Sequence, residues 1–249
     1  MLRALLLLIS LPLFAAGATA DALRIGMSPD YPPLAYKQDG RVVGIEADNV
    51  KAVGKVLDRP MKVVEMPFEK LLPALQAGEI DVVMSGISVT EERSKVVEFA
   101  EPYMEMGQMA IIHRDKVAKF AQPWSVYRKG VRIGVEPGTT GAQFAATELK
   151  DAVVSFYADA DAAFAGLRND EIDLYIHDAP TSWQLATAND NTDLISLYAP
   201  LTQEQLAWPV RKGDDALLAE LNRALNLMKS NGTLRYILNR WIPVTVEVQ

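Results

Sequence analysis

Two segments of this sequence occur twice, and that recurrence constrains the fold more than any other feature. Leu23-Arg24-Ile25-Gly26-Met27-Ser28-Pro29 returns as Val131-Arg132-Ile133-Gly134-Val135-Glu136-Pro137. Leu75-Gln76-Ala77-Gly78-Glu79-Ile80-Asp81 returns as Leu167-Arg168-Asn169-Asp170-Glu171-Ile172-Asp173. The first pair reads as an apolar strand that breaks into Gly, Pro and polar residues before a helix. The second closes a helix and runs into Val82-Val83-Met84 or Leu174-Tyr175-Ile176, apolar runs suited to strands buried on both faces of a sheet. Between these landmarks helical periods are legible at Val50, Val53 and Leu57, at Leu71, Leu72 and Leu75, and at Phe144, Ala145 and Leu149. Strands alternating with helices imply parallel βαβ units. Their duplication predicts two similar α/β lobes, each a mixed, mainly parallel sheet flanked by helices. The alternative is one large doubly wound sheet.

The C-terminal stretch has no counterpart in the first half. Residues Gln205 to Val210 read as a strand, followed by an amphipathic helix from Asp214 to Lys229 that ends at Asn231-Gly232, then a short helix to Trp241. This tail is expected to return to the first lobe, so that lobe 1 comprises residues 21–111 and 207–249 and lobe 2 residues 112–206. Two strand-like connections, Met109 to His113 and Gln205 to Val210, would then join the lobes as a hinge.

The first twenty residues stand apart. Arg3 precedes an apolar run from Ala4 to Ala15, and Ala18-Thr19-Ala20 is a small-x-small cleavage site before Asp21. The run is shorter than the roughly 20 residues a spanning helix requires, so residues 1–20 are expected to be a signal peptide that directs the chain to the periplasm. Its removal leaves 24 basic against 32 acidic side chains. That balance lacks the basic footprint of a nucleic-acid partner. The chain has no cysteine, which excludes disulfides, lipid attachment through cysteine, thiol catalysis and thiolate metal sites. A monomer held together by its own cores is the expectation.

Ligands of open α/β sheets bind beyond the carboxyl ends of the strands. In lobe 1 that places Ser28 to Tyr31 and Ser85-Gly86-Ile87-Ser88-Val89-Thr90 at the cleft; in lobe 2, Glu136 to Gly141 and His177-Asp178. Gly138-Thr139-Thr140-Gly141 opens a helix whose free N–H groups suit an anion, or else Thr139 or Thr140 is a plain cap. Arg93 offers a guanidinium shaped for a carboxylate, or else is a solvated helix residue. Asp178 follows an apolar strand, where an unpaired carboxylate is costly; a ligand ammonium would satisfy it, as would a role as helix cap. Tyr31 and Phe68 could flank a ligand or belong to the core of their lobe.

Several of these segments together resemble one family. Tyr31-Pro32-Pro33-Leu34, Leu72-Pro73-Ala74-Leu75-Gln76-Ala77-Gly78-Glu79-Ile80-Asp81, Ser85-Gly86-Ile87-Ser88-Val89-Thr90-Glu91-Glu92-Arg93, Phe99-Ala100-Glu101-Pro102-Tyr103 and Gly138-Thr139-Thr140 resemble the polar amino-acid-binding proteins of ABC transporters, the family-3 solute-binding group. The resemblance covers essentially the whole chain after residue 20. It implies the type II periplasmic-binding-protein fold, hinge closure around one amino-acid-like zwitterion, and delivery to an inner-membrane ABC permease, with a chemoreceptor as another class of partner. It further implies that Arg93 clamps the α-carboxylate with N–H groups of Ser88 and Thr140. The Gly86 carbonyl, Ser88 hydroxyl and Asp178 would receive the α-ammonium, and Tyr31 and Phe68 would flank the side chain. Relatives taking basic amino acids often carry an acid in the loop after the first strand, a position that aligns with Ser28 here. Glu136 holds the equivalent lobe-two position, facing either the ligand's side chain or solvent; facing the ligand, it would disfavour acidic amino acids.

An enzyme on the same fold is the main competing reading. Cyclohexadienyl dehydratases resemble these proteins through Ser85-Gly86-Ile87-Ser88 but carry a catalytic Glu three residues after the Asp that matches Asp178. Here that position is Thr181. His113, assigned to the hinge, and His177, at a strand end, have no metal-ligand spacing partner, so neither cofactor nor metal is expected.

Overall fold

In the computed structural model, which describes residues 21–187 and 191–242, each repeat builds its own five-stranded sheet. The first sheet runs Met61–Glu65, Leu23–Met27, Val82–Val83, Pro209–Arg211, Val97–Phe99. The second runs Val153–Phe156, Arg132–Val135, Leu174–Asp178, Gln108–His113, Leu194–Ser196. In both, the first three strands are parallel and the fourth is antiparallel to the third. The single doubly wound sheet is thereby excluded. The expected signal peptide, residues 1–20, lies outside the described residues.

The repeated sequences make the same local bonds. The Arg24 guanidinium donates to both oxygens of Asp81 at 3.1 and 2.6 Å, and Arg132 does the same to Asp173 at 3.3 and 2.9 Å. Each aspartate also accepts the backbone N–H of its arginine. These forked, charge-assisted pairs tie the second strand in each sheet order to the start of the third.

Helices cover both faces of the first sheet. The Asp215–Ser230 helix begins where the Asp214 carboxylate accepts the Leu217 N–H, as an N-cap should. It buries Leu217, Leu221, Ala224, Leu225 and Met228, the spacing of a single helical face. These side chains join Ile25, Met27, Val53 and Val82 in one core, so the C-terminal tail packs on the first lobe. The opposite face is closed by Leu71, Ala74 and Leu75 of the Phe68–Gln76 helix. The second sheet has its own two clusters, one around Ile133, Val135 and Ile176 and one around Phe164, Leu167 and Tyr175.

The hinge differs from the sequence expectation. The sequence predicts a crossing over Met109 to His113, with lobe 1 ending at residue 111. These residues instead lie within the Gln108–His113 strand, paired on both sides inside the second sheet. The lobes are connected by Met104–Met106 and Glu204–Leu206, which pair with each other as an antiparallel ribbon. Gly107 separates ribbon from sheet, and any side chain there would collide with the Thr202 carbonyl. The expected Gln205–Val210 strand is likewise divided: Glu204–Leu206 belongs to the ribbon and Pro209–Arg211 to the first sheet. His113 is thus at the far end of a lobe-two strand, beside Asp115 and Asp193, rather than at the hinge.

Candidate functional site

The strand ends of the two sheets face each other across one cavity, lined from lobe 1 by Asp30, Tyr31, Phe68, Gly86, Ser88 and Arg93. Lobe 2 contributes Gln108, Glu136, Thr139, Thr140, Ile176, His177 and Asp178. Nine of the eleven residues picked from sequence therefore line it. Ser28 and Ser85 lie one layer below: the Ser28 N–H donates to the Ser85 hydroxyl at 2.9 Å, and the Ser28 hydroxyl donates to Asp30 at 2.7 Å. The acid that the resemblance sought at Ser28 is present two residues later, as Asp30.

Gly86 shapes the lobe-one wall. Its φ of +67° is left-handed, and a Cβ would stand 2.6 Å from Leu34 and 2.7 Å from the Tyr31 ring. Only glycine lets that aromatic ring lie against the loop. Two residues beyond Ser88, Thr90 caps the short Glu91–Ser94 helix by accepting the Arg93 N–H, which turns the Arg93 side chain into the cleft. Its guanidinium donates to the Ser88 carbonyl at 2.8 Å and, across the cleft, to the Gly138 carbonyl at 2.9 Å. It sits 5.9 Å from the centre of the Phe68 ring, within cation–π range. Burial pulls its pKa down, opposed by the charges of Glu204 and Glu92. Among the described residues no carboxylate lies within ion-pair distance of it.

In lobe 2 the Thr139 hydroxyl accepts the Ala142 N–H and caps the Thr140–Glu148 helix, so the cap reading holds, and Thr139 and Thr140 line the cavity. The Thr140 hydroxyl donates to Glu204 at 2.7 Å and accepts the Gln108 amide at 3.0 Å. Asp178 ends its strand with both carboxylate oxygens engaged, one by the Tyr31 hydroxyl of the other lobe and one by the Gln108 amide. Burial, then the nearby charge of Glu204, pushes its pKa well above the usual carboxylate range.

Glu136 faces inward. It accepts the Tyr175 hydroxyl and lies 3.5 Å from His177 Nε2. Burial raises its pKa to about 7; the Tyr175 bond opposes the shift and the charges of Asp30 and Asp159 add to it. Burial lowers His177 to about 4, so at neutral pH this histidine is an uncharged neighbour of the carboxylate. Its ring meets Tyr31 edge-on at 5.1 Å. Gln108 and Glu204 escaped the sequence reading, and Asp30 entered it only as part of the Ser28 to Tyr31 loop. A buried glutamine opening the run Met109-Ala110-Ile111-Ile112 was a usable signal for the first.

The free space in the cavity is about 30 Å³, enough for one or two waters and too little for an amino acid. Among the described residues, Tyr31 to Asp178 and Arg93 to Gly138 bridge the lobes across it, and the Thr181 hydroxyl donates to the Pro32 carbonyl at 2.7 Å beside it. Among the described residues there is no group of three or more His, Cys, Asp or Glu able to hold a metal, and no helix long and apolar enough to cross a membrane.

Two lobes, a ribbon hinge and a charged cleft define a solute-binding clamp. The chain belongs to the bacterial extracellular solute-binding proteins, family 3, whose model matches residues 23–244. It is 31% identical to the ABC transporter arginine-binding protein 1 of Escherichia coli strain K12, over 97% of this chain and all of that one. An ancestral arginine-binding protein solved with arginine superposes with a TM-score of 0.84 at 31% identity, covering 90% of this chain and 99% of that one. An ancestral amino-acid-binding protein described as a precursor of cyclohexadienyl dehydratase gives a TM-score of 0.82 at 31% identity, covering 88% and 95%. The chain's function is that of its family, amino-acid solute binding in ABC transport, and the relatives are binding proteins rather than enzymes.

Proposed function

We propose that the protein binds a cationic amino acid, arginine foremost, and hands it to an inner-membrane ABC permease after export through a cleaved segment at residues 1–20. One observation carries the choice of ligand: the cavity is lined by three carboxyl groups, Asp30, Glu136 and Asp178, against a single guanidinium, Arg93. An α-carboxylate balances Arg93 and an α-ammonium balances Asp178. Asp30 and Glu136 then remain as a negative end suited to a guanidinium or ammonium side chain and repulsive to glutamate or aspartate. The names of the relatives agree with that reading. The partner and the monomeric state follow from the role of a soluble carrier.

Closure supplies the mechanism. Arg93 and the Ser88 loop receive the ligand on lobe 1, and Asp178 with the Thr140 helix end closes over it. The ligand stabilises the closed form by binding it more strongly than the open one. Calorimetry with arginine, lysine, glutamine and glutamate tests the assignment. Arginine and lysine should bind with the highest affinity, and glutamate binding tighter than arginine would overturn it.

A further inference from the structure

Glu46 is a carboxylate with no solvent exposure that does not itself line the cavity. It sits in the first turn of the Ile45–Leu57 helix, where the helix dipole favours an anion. Four donors converge on it, two per oxygen. Oε1 accepts the Gly86 N–H at 2.9 Å and the Tyr103 hydroxyl at 2.7 Å. Oε2 accepts the Trp208 indole N–H at 3.1 Å and the Asn49 amide at 3.2 Å.

Three of these donors mark functional places in the chain. Gly86 belongs to the loop that lines the cavity. Tyr103 immediately precedes the outgoing hinge strand Met104–Met106, and Trp208 follows the returning strand Glu204–Leu206 by two residues. Tyr103 and Trp208 also stack, with ring centres 5.3 Å apart. The ligand loop runs along the same hinge strand: the Val89 N–H donates to the Gln205 carbonyl at 2.8 Å, and the Ala207 N–H to the Ile87 carbonyl at 3.1 Å.

We infer that Glu46 is a positioning residue: its carboxylate fastens the Gly86 loop to the roots of both hinge strands, so that ligand contact and hinge closure move as one unit. The inference rests on the solute-binding reading of the cleft. A carboxylate suits the task because each oxygen can accept two bonds. A glutamine of the same shape offers one acceptor oxygen and turns an N–H₂ group toward two donors, leaving buried donors unsatisfied. The ordinary function of a buried core residue would be to stabilise the whole lobe; the geometry here concentrates the effect on one loop and two strand ends.

Hydrogen exchange of the ligand-free protein and calorimetry with arginine test this together. Glu46→Gln should raise amide exchange at Gly86, at Tyr103 to Met106 and at Leu206 to Trp208, leave the Met61–Glu65 strand unchanged, and weaken arginine binding at least about tenfold. Tyr103→Phe removes one donor, keeps the packing, and should give a smaller effect at the same places, which keeps the test valid if Glu46→Gln does not fold. Exchange that rises evenly through the first lobe, or unaltered exchange with unaltered affinity, would overturn the role of Glu46. Failure of the unmutated protein to bind arginine would overturn the ligand assignment instead, and the exchange pattern would still decide the inference.

Discussion

The Tyr31 hydroxyl of one lobe donates to the Asp178 carboxylate of the other. This bond joins the two lobes at the place where the ligand's ammonium is proposed to sit. Arg93 joins them too, donating across the cleft to the Gly138 carbonyl. In the proposed binding mode a zwitterion satisfies both charges at once. Truncating a member of a buried, hydrogen-bonded charge pair removes that advantage and leaves the other charge stranded.

Arg93→Ala should weaken arginine binding by about 2–5 kcal/mol, which is at least about 30-fold in Kd. Arg93→Lys should recover only part of the loss, because a single ammonium cannot reproduce the forked geometry. Calorimetry of both variants is the check, and near-normal affinity in the alanine variant would remove Arg93 from the site.

Tyr31→Phe deletes the cross-lobe hydroxyl and keeps the ring. Without ligand, the variant should be more open than the unmutated protein, seen as a larger radius of gyration in small-angle scattering. Asp178→Asn should weaken the binding of every amino acid tested by a similar factor, since it acts on the common ammonium rather than on the side chain.

Glu136 should couple binding and stability to pH. Its pKa is about 7 in the fold against an ordinary 4.5, so the folded state holds the proton that the unfolded chain releases. Stability from this group is full below pH 4.5 and is lost as pH rises through 7. His177 has the opposite sign: its pKa of about 4 against 6.5 makes stability fall as pH drops through that interval. Comparing thermal melts with those of Glu136→Gln isolates the glutamate, and the advantage of the unmutated protein should shrink from about pH 5 to about pH 8. Arginine affinity should rise over the same range, because the guanidinium requires the ionised carboxylate. A flat affinity profile would mean that Glu136 does not meet the ligand's side chain.

Thr181, the residue that the sequence resemblance sets against the acid of cyclohexadienyl dehydratases, donates to the Pro32 carbonyl of the other lobe. Prephenate and arogenate should be left unchanged by the protein, as followed by the absorbance of phenylpyruvate or by chromatography. Thr181→Val should loosen the ligand-free closed form by about 1 kcal/mol, with the same scattering readout as Tyr31→Phe and little change in arginine affinity.

Much of the architecture was legible because it is repeated and periodic. Strands buried on both faces and helices with one apolar face leave a pattern in the chain, and a pattern that occurs twice predicts two lobes. Asp178 could be picked out because a carboxylate at a strand end of an open α/β sheet is costly unless something pairs with it, and Arg93 because its guanidinium suits a carboxylate and falls in a segment that resembles the family. The hinge was misplaced for a specific reason. Met104 to His113 is β-compatible nearly throughout, and nothing in its periodicity marks where it exchanges one partner strand for another. Gly107 marks the point only once the Thr202 carbonyl is seen against it.

The sequence by itself determined the two-lobed α/β plan, the exposed strand-end loops and the identity of the charges in them, because these depend on local propensity and on the cost of burying polar groups. Tertiary structure alone decided which of those charges meet. Asp30 rather than Ser28 lines the cavity, Glu136 turns inward beneath Tyr175, and Glu204 reaches Thr140 from a hinge strand whose own pattern announces no ligand. Glu46 gathers donors from residues 86, 103 and 208. Such meetings are set by strand pairing and lobe closure between residues far apart in the chain, and that information is carried by packing rather than by any local run of residues.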